Sequence, residues 1–582
     1  MQFVTVPDST PSTRAATAAN DLNEIYLSGM RQRFKSEINR LTGGDMAKLL
    51  QARQFSGELA FPLTYLYAWH WLRDNVHVDF LEPVLSAFTR GRQGFLMRML
   101  LNSDSATAFV DAYVEHWLGW RGGEAPQQHR QLLRLFDHCQ RDKNALKALL
   151  LEHWQSLGLF QQGRAEIYHE LALDERQRYR DYESDEEAAR LALIDGLPDS
   201  GTPMRSFDKL GLIPSMACPQ TCRHCMFIWR PIMKSTPPPD ALYDMVNGLT
   251  RSVLFTGGDL TRQLDDFYRA IASMRNINTF AILLNGDFAD SPEITEQVLS
   301  SMARAVRQRP GNWPDARVIL QISFDEIHQE VLVDKHGQLR ERIAVANIAN
   351  IVELAPRFKR EIQLALLHKQ NALKFSMELF QKGVFARLVR ELGARGHQVQ
   401  VVSAQPSNRL KPNPAQGGDR GQLIRDANFV LDRYPDVPIM LTSTTVDAYG
   451  RAMTLDKHET VNDRDMLLQL LDGRRPDGEF FDTDLMFWFN GWVTLFSAVH
   501  MSLGDVYRDG LNTILRRHRL DPLSRALHDF DLRLLDFYRE VRTDLDQRIA
   551  SATGPHQLFH AITERSDVRL HMTRRLVESG AA

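Results

Sequence analysis

Three of the four cysteines in the chain stand within eight residues, at Cys218, Cys222 and Cys225. Thiolates are soft metal ligands, and such close spacing lets a single loop offer several sulfurs to one metal group. Three thiolates can ligate three irons of a four-iron cube and leave the fourth iron open to another ligand. The spacing C-x3-C-x2-C therefore indicates an iron-sulfur cluster.

A structural zinc site is the alternative interpretation of the same cysteines. Zinc in such sites takes four protein ligands, commonly supplied as two separate pairs. The remaining cysteine, Cys139, lies far upstream in a segment with a helical pattern. His224 or a distant histidine would therefore have to complete the zinc site.

Further residues of chemical interest follow the next three predicted strands. Gly257 and Gly258 let the backbone approach a ligand closely, and Asp259 adds a carboxylate directly after them. Asn285 follows the third strand. Ser323 and Asp325 end the fourth, where strand alternation places both on one face. His328, a little further on, is either a substrate contact or an ordinary loop histidine.

The elements that position these residues are short apolar strands alternating with helices. The predicted strands are 210–216, 252–255, 279–284, 317–322, 361–367 and 398–402, with one more at 438–444. The predicted helices between them are 239–249, 263–274, 292–307, 342–354 and 377–392. This alternation predicts an α/β fold of parallel βαβ units, arranged as an open or partial (β/α)6 barrel with its site at the strand ends.

Two helical regions flank this predicted barrel. Residues 1–200 have helical periodicity almost throughout, and Ser184 with Glu187 indicates a capping box for a helix that runs to about Gly196. A cluster of Pro, Asp, Ser and Gly near 197–203 marks a boundary. We therefore predict an all-α N-terminal domain (1–200), the barrel (201–455) and a mostly helical C-terminal extension (456–582).

The cysteine motif, in the loop after the first strand of a β/α barrel, resembles the signature of the radical S-adenosylmethionine (SAM) superfamily. The resemblance covers about residues 205–454. Thr256-Gly257-Gly258-Asp259 is similar to the family's GGE motif with Asp in place of Glu, Leu284-Asn285-Gly286-Asp287 to its TNG segment, and Ser323-Phe324-Asp325 to its S-x-D. Residues 480–527 weakly resemble the C-terminal extension called SPASM or twitch, without its cysteines.

The resemblance implies a [4Fe-4S] cluster on the three cysteines. It also implies SAM contacts from residues of all the motifs: His224, Gly257, Gly258, Asp259, Asn285, Ser323 and Asp325. A flavodoxin- or ferredoxin-type donor would reduce the cluster, and SAM would be cleaved to a 5′-deoxyadenosyl radical. That radical would take a hydrogen from a small-molecule or peptide substrate. A non-catalytic iron-sulfur sensor or scaffold remains the alternative class.

The cysteine content, net charge and hydropathy of the chain argue against several classes of function. No cysteine follows Cys225, which argues against a second cluster, sulfur insertion and cysteine-borne methyl transfer, and only Cys139 is left as a thiol hydrogen donor. The net charge of -3 gives no indication of nucleic-acid binding. With no apolar run of membrane length and no secretory signal pattern, we expect a cytoplasmic protein that does not bind membranes.

The N-terminal region contains histidines that could serve a second metal. His70 and His77 share one face of a predicted helix. Together with Glu115-His116, Glu166 and His169 they allow a di-metal site within a helical bundle. Ordinary amphipathic helices with hydrogen-bonded histidines explain the same pattern.

Overall fold

The fold was described from a computed structural model of the protein. The described residues are 21–30, 106–121, 127–156, 182, 184–198, 207–216, 218–220, 222–225, 240–309, 316–334, 336–369, 383–406, 424–444, 452, 455, 464–474 and 481–580. Within these ranges no helix has the length and apolar character needed to cross a membrane.

Thirteen strands and seventeen helices are numbered here along the described part of the chain. The strands are β1 (Leu210–Ile213), β2 (Ser252–Phe255), β3 (Thr279–Leu284), β4 (Arg317–Ser323), β5 (Val331–Val333), β6 (Leu339–Glu341), β7 (Ile362–Lys369), β8 (Val399–Pro406), β9 (Ile424–Leu431), β10 (Tyr434–Thr444), β11 (Leu485–Trp488), β12 (Trp492–Leu495) and β13 (Ser502–Asp505). The helices are α1 (Ala106–Gly119), α2 (Gln127–His138), α3 (Lys143–Ser156), α4 (Asp185–Asp195), α5 (Asp240–Asn247), α6 (Leu264–Ser273), α7 (Pro292–Arg307), α8 (Val345–Leu354), α9 (Gly383–Ala394), α10 (Arg464–Leu471), α11 (Val506–Asp509), α12 (Leu511–Leu520), α13 (Pro522–His528), α14 (Arg533–Val541), α15 (Leu545–Ser551), α16 (Pro555–Ile562) and α17 (Ser566–Glu578). Residues 21–30 are also helical.

The chain divides into two compact units. One consists of Ser9–Glu170 and Glu330–Arg342, and the other of Met1–Asp8, Leu171–Gln329 and Ile343–Ala582. In the first unit α1 packs against α2 and α3 through buried apolar side chains such as Tyr113 and Leu146. The antiparallel hairpin of β5 and β6 belongs to the same unit.

The second unit is built on a mixed sheet of eleven strands in the order β13-β12-β11-β1-β2-β3-β4-β7-β10-β9-β8. Its seven central strands, from β11 to β10, are parallel, while β12 and β13 at one end and β9 and β8 at the other are antiparallel. Because the central strands are parallel, their carboxyl ends all lie at the same edge of the sheet. The segments that follow β1, β2, β3, β4 and β7 therefore meet there.

Local sequence explains where the helices of this unit begin. Ser291 caps α7 by accepting the Ile294 N–H at 3.3 Å, and Pro292 occupies the first turn. Ser184 caps α4 in the same way, accepting the Glu187 N–H at 3.2 Å. The predicted N-cap of α4 is thus confirmed, as is its end at Gly196. The Glu187 carboxylate, however, forms ion pairs with Arg190 and Arg569 and does not complete a capping box.

A buried ion-pair network joins α4 to the C-terminal helices of the same unit. Arg190 pairs with Glu187 at 2.7 Å and with Asp521 at 3.1 Å, and Arg569 of α17 pairs with Glu187 at 3.0 Å. All of these side chains are almost completely buried. Although the sequence analysis placed α4 in the N-terminal domain, its contacts are with residues beyond 500.

The α/β class and the alternation of strands and helices are confirmed, with two corrections. The strand predicted at 398–402 exists as β8, but it is an antiparallel edge strand, and β10 takes the sixth parallel position after β1–β4 and β7. The region after 456 is not wholly helical, because β11–β13 extend the sheet beside β1. The described sheet is open, and the partial barrel and the predicted domain boundaries stay predictions.

Candidate metal centre

The cysteine loop begins at the carboxyl end of β1 and is fixed against the segment that follows β2. The Thr256 N–H donates to the Leu212 carbonyl at 3.0 Å, and the Gly258 N–H donates to the Ser215 carbonyl at 3.0 Å. Further along, the Cys225 N–H donates to the Cys222 carbonyl at 3.3 Å, which tightens the second half of the motif. Backbone hydrogen bonds therefore position both ends of the loop.

The three cysteines of the motif share one electrostatic environment. Cys222 is buried, while Cys218 and Cys225 are half-buried. Burial raises the pKa of Cys218 to about 12, and the neighbouring Cys225, Cys222 and Asp259 contribute to the rise. Such a thiol gives up its proton when a metal takes the sulfur, since the cation offsets the cost of burying the charge. This donor set fits a metal group bound by three thiolates.

Gly257 occupies a position that other residues cannot adopt without strain. Its φ is +136°, and a Cβ built there would lie 2.4 Å from the Ser215 carbonyl oxygen. The glycine thus allows the chain after β2 to pass directly over the chain leading to Cys218. The predicted role of Gly257 and Gly258 in close backbone approach fits this geometry, although the contact seen is with the protein's own backbone.

Asp259 lies near the cysteines but part of its carboxylate is engaged locally. It caps a short 3-10 helix (Leu260–Gln263), and its Oδ1 accepts hydrogen bonds from the Thr261 N–H at 3.1 Å and the Thr261 hydroxyl at 2.8 Å. Its charge contributes to the raised pKa of Cys218. Asp259 therefore lies near the cysteine loop, and its contact with SAM stays a prediction.

Asn285 follows β3 and Ser323 is the last residue of β4, each one residue beyond the paired Leu284 and Ile322. Asn285 is buried, and its Oδ1 accepts the Asp287 N–H at 2.8 Å in a side-chain-capped turn. The Gln220 amide of the cysteine loop reaches Asp287 at 3.5 Å. The segment after β3 is thus brought to the cysteine loop through Asp287 rather than through Asn285.

Asp325 is a buried acid at this edge of the sheet, and both of its carboxylate oxygens have partners within the protein. Its Oδ1 accepts the backbone N–H groups of Ile327 and His328 at 2.9 and 2.8 Å. Its Oδ2 lies 2.8 Å from His328 Nδ1 and 3.3 Å from His224 Nε2. Burial alone would raise the pKa of Asp325, but His328 and His224 hold it well below its usual range. The buried carboxylate is therefore ionised.

His328 connects this carboxylate to the cysteine motif. Its ring meets that of His224 edge-on at 4.5 Å, and it lies close enough to Cys222 for that thiol to affect its pKa. Burial would lower the pKa of His328, but Asp325 and Cys222 raise it to about 10. His224, Asp325 and His328 are also close enough together to ligate one metal ion, with ligand atoms within 4.8 Å of one another.

His368 is a member of this cluster that sequence reasoning missed. It lies near the end of β7, is almost completely buried, and is close enough to Asp325 and His224 for their charges to affect it. Burial lowers the pKa of His368 to about 4, so its imidazole is neutral at pH 7. The sequence could have indicated His368 by its position, because it lies at the carboxyl end of a predicted parallel strand. Asp325 lies just beyond the carboxyl end of the neighbouring strand.

The hypothetical second metal site in the N-terminal region has no support from its described members. His70, His77, Glu166 and His169 lie outside the described residues. Glu115 is paired with Lys143 at 2.8 Å and Lys147 at 3.1 Å, and these contacts lower its pKa. Cys139 follows α2 and is half-buried, and burial raises its pKa.

Comparison with known proteins finds likenesses among solved structures. No family model matches the chain, and no curated protein matches its sequence. A solved structure described as native anSMEcpe with bound AdoMet and Cp18Cys peptide aligns with 64% of this chain and 98% of its own, at 12% identity and a TM-score of 0.31. A likeness at that level does not establish a function for this chain.

Proposed function

We propose that the protein is a radical SAM enzyme whose Cys218, Cys222 and Cys225 hold one [4Fe-4S] cluster. The observation that supports this most strongly is the clustering of three thiols in a loop at the carboxyl edge of a parallel sheet. Among the described residues these cysteines have no fourth cysteine beside them in their own unit. Three thiolate ligands leave one iron open, which is the arrangement that SAM binding requires.

The residues around the loop have separate tasks in this proposal. A cluster on the three cysteines would supply the electron that cleavage of SAM to methionine and a 5′-deoxyadenosyl radical requires. Gly257 and Gly258 let the β2 segment approach closely, and Asp259, Asn285 and Ser323 offer polar groups at the same sheet edge.

The substrate class stays open between a small molecule and a peptide. A flavodoxin- or ferredoxin-type protein is the proposed electron donor. The other proposed class, a sensor or scaffold that only carries a cluster, would not need SAM cleavage. Cleavage of SAM by the reduced protein therefore separates the two.

Zinc is a second candidate because one interaction favours it. His328 lies close enough to Cys222 for the two groups to interact electrostatically, so three thiolates and one imidazole are candidate ligands of a tetrahedral site. In that case the protein would have no SAM chemistry. Metal content distinguishes the two possibilities.

The test is anaerobic reconstitution followed by metal and product analysis. We expect about four irons per chain, little zinc, and release of 5′-deoxyadenosine from SAM after reduction with dithionite. Cys222→Ala should lose both the cluster and the release. Cys139→Ala is the matched control, because that cysteine lies in the other unit, and it should retain both. Stoichiometric zinc without iron, or undiminished release by Cys222→Ala, would contradict the proposal.

A further inference from the structure

A cavity of about 280 Å³ lies at the edge of the large sheet where its parallel strands begin. Its lining includes Arg317, the first residue of β4, and Ile362, the first residue of β7. The two strands are parallel, and Val318 pairs with Ile362. Because parallel strands all begin at one edge and end at the other, the cavity lies opposite the edge that carries the cysteine loop. It is therefore separate from the proposed SAM site.

The lining of this cavity is strongly basic. It contains three cations, Arg317, Lys359 and Arg360, and one acid, Asp436, and all four residues are exposed. Within the described part of the chain, none of the three cations forms an ion pair with a carboxylate. Three cations against one acid leave the lining with an excess of two positive charges.

The acidic side chains beside this segment are paired with other arginines. Glu361, which follows Arg360 in the chain, pairs with Arg307 of α7 at 2.8 Å. Glu296 of the same helix pairs with Arg357 at 3.3 Å. These two acids therefore do not neutralise the cations that line the cavity.

Most of the remaining lining is apolar. It includes Ile362, Leu364 and Ile439, whose side chains are almost completely buried. The volume is close to the lower end of the range for small-molecule sites, which is roughly 300–1,000 Å³. Apolar walls with a few charged groups are typical of a site for a small molecule that has an ionised group on an apolar body.

We propose that this cavity binds a small organic phosphate, with the phosphate group on Arg317, Lys359 and Arg360 and the organic part against the apolar lining. A phosphate monoester carries a charge of about −1.5 to −2 at pH 7, which matches the excess of two positive charges. A single carboxylate would offset only one of them. Guanidinium groups can bind two phosphate oxygens at once, and a lysine adds a point charge.

Isothermal titration calorimetry of the full chain with phenyl phosphate, in a buffer of low ionic strength, tests the site, and inorganic phosphate is the second probe. We expect saturable binding of one phenyl phosphate per chain and weaker binding of inorganic phosphate, which has no apolar part. Arg317→Gln and Arg360→Gln should each weaken binding roughly tenfold, because each removes a charge-assisted hydrogen bond. Arg304→Gln is the matched control and should leave the affinity unchanged, since Arg304 is an exposed arginine of α7 outside the lining.

The substituted side chains are exposed, so the variants should stay folded, which circular dichroism checks. Absence of saturable binding of phenyl phosphate would overturn the proposal, and so would equal affinities of all three variants, because the ligand would then bind elsewhere. Equal affinities for the two probes would overturn the organic part of the ligand.

The site shares no residue with the cysteine loop, so its test is independent of the proposed function. Cys222→Ala should bind phenyl phosphate as tightly as the unsubstituted chain does, whether or not a cluster is present. Loss of binding in that variant would place the ligand at the cysteine loop and overturn the assignment to this cavity.

Discussion

Asp325 matches a SAM-binding motif in the sequence, but in the structure its carboxylate is occupied by contacts within the protein. The resemblance implies that this carboxylate contacts SAM, but both of its oxygens are engaged by backbone N–H groups and two histidines. Its contact with SAM stays a prediction. What the structure shows is that Asp325 holds the rings of His328 and His224, at 2.8 and 3.3 Å from its Oδ2.

Gly257 gives the sharpest prediction at the scale of one residue. In Gly257→Ala the new methyl group would lie 2.4 Å from the Ser215 carbonyl oxygen, at a φ of +136°. We expect a loss of about 1–3 kcal/mol in the free energy of unfolding and weaker SAM binding, because the cysteine loop must move. Chemical denaturation and SAM binding by calorimetry measure the two effects.

Gly248→Ala is the control for that substitution, because a Cβ at Gly248 would meet nothing within 4 Å. It should leave stability and SAM binding nearly unchanged. Equal effects of the two alanines would show that Gly257 has no special position.

The motif residues at the ends of β1 to β4 could be predicted because each stands directly after a recognisable strand. His368 could not, since nothing near it in the chain marks it and only the pairing of β4 with β7 brings it to Asp325. His328 was visible in the sequence, but its nearness to Cys222 depends on how the loops after β1 and β4 fold together.

At the scale of elements, α4 depends on charged residues from distant helices. Glu187 accepts from two buried arginines, Arg190 and Arg569. In Glu187→Gln Arg569 would lose this charge partner and Arg190 would keep only Asp521, and we expect a loss of about 3–5 kcal/mol in unfolding free energy. Denaturant titration measures it. Asp472→Asn, at an exposed pair with Arg474, is the control and should change little.

The same carboxylate predicts a pH dependence of stability. Burial would raise the pKa of Glu187, but Arg190 and Arg569 lower it below its usual 4.5. A lowered folded-state pKa means that this stabilisation is present above about pH 4.5 and is lost as the pH falls through the folded-state value. As the pH falls, the free energy of unfolding of Glu187→Gln should therefore decrease less steeply than that of the unsubstituted protein. An equally steep fall of the free energy of unfolding with falling pH in the two proteins would contradict this assignment to Glu187.

Element positions were predicted more successfully than their pairing. Most strand and helix bounds agree within a few residues, because apolar periodicity is local. The strand at 398–402 was assigned to the wrong place in the sheet, since an antiparallel turn at 431–434 joins β9 to β10 and places β8 at the edge. Strand pairing depends on contacts between segments that are distant in the chain, and the apolar periodicity of each segment gives no information about those contacts.

At the scale of the whole chain, the segment after 480 is part of the sheet that carries the site. β11 pairs with β1, the strand that leads into the cysteine loop, and Trp488 at its end is buried and donates to Thr494 at 3.0 Å. The sequence predicted a mostly helical extension here. Besides helices, the structure shows three strands that continue the sheet beside its first strand, so the C-terminal segment supports the position of the cysteine loop.

The central claim is that the cluster on Cys218, Cys222 and Cys225 has an open iron which binds SAM. Its most direct test is the electron paramagnetic resonance spectrum of the dithionite-reduced, reconstituted protein before and after addition of SAM. The account predicts the signal of a reduced [4Fe-4S] cluster that changes when SAM is added. A cluster signal that SAM leaves unchanged, or a reduced protein without a cluster signal, would contradict it.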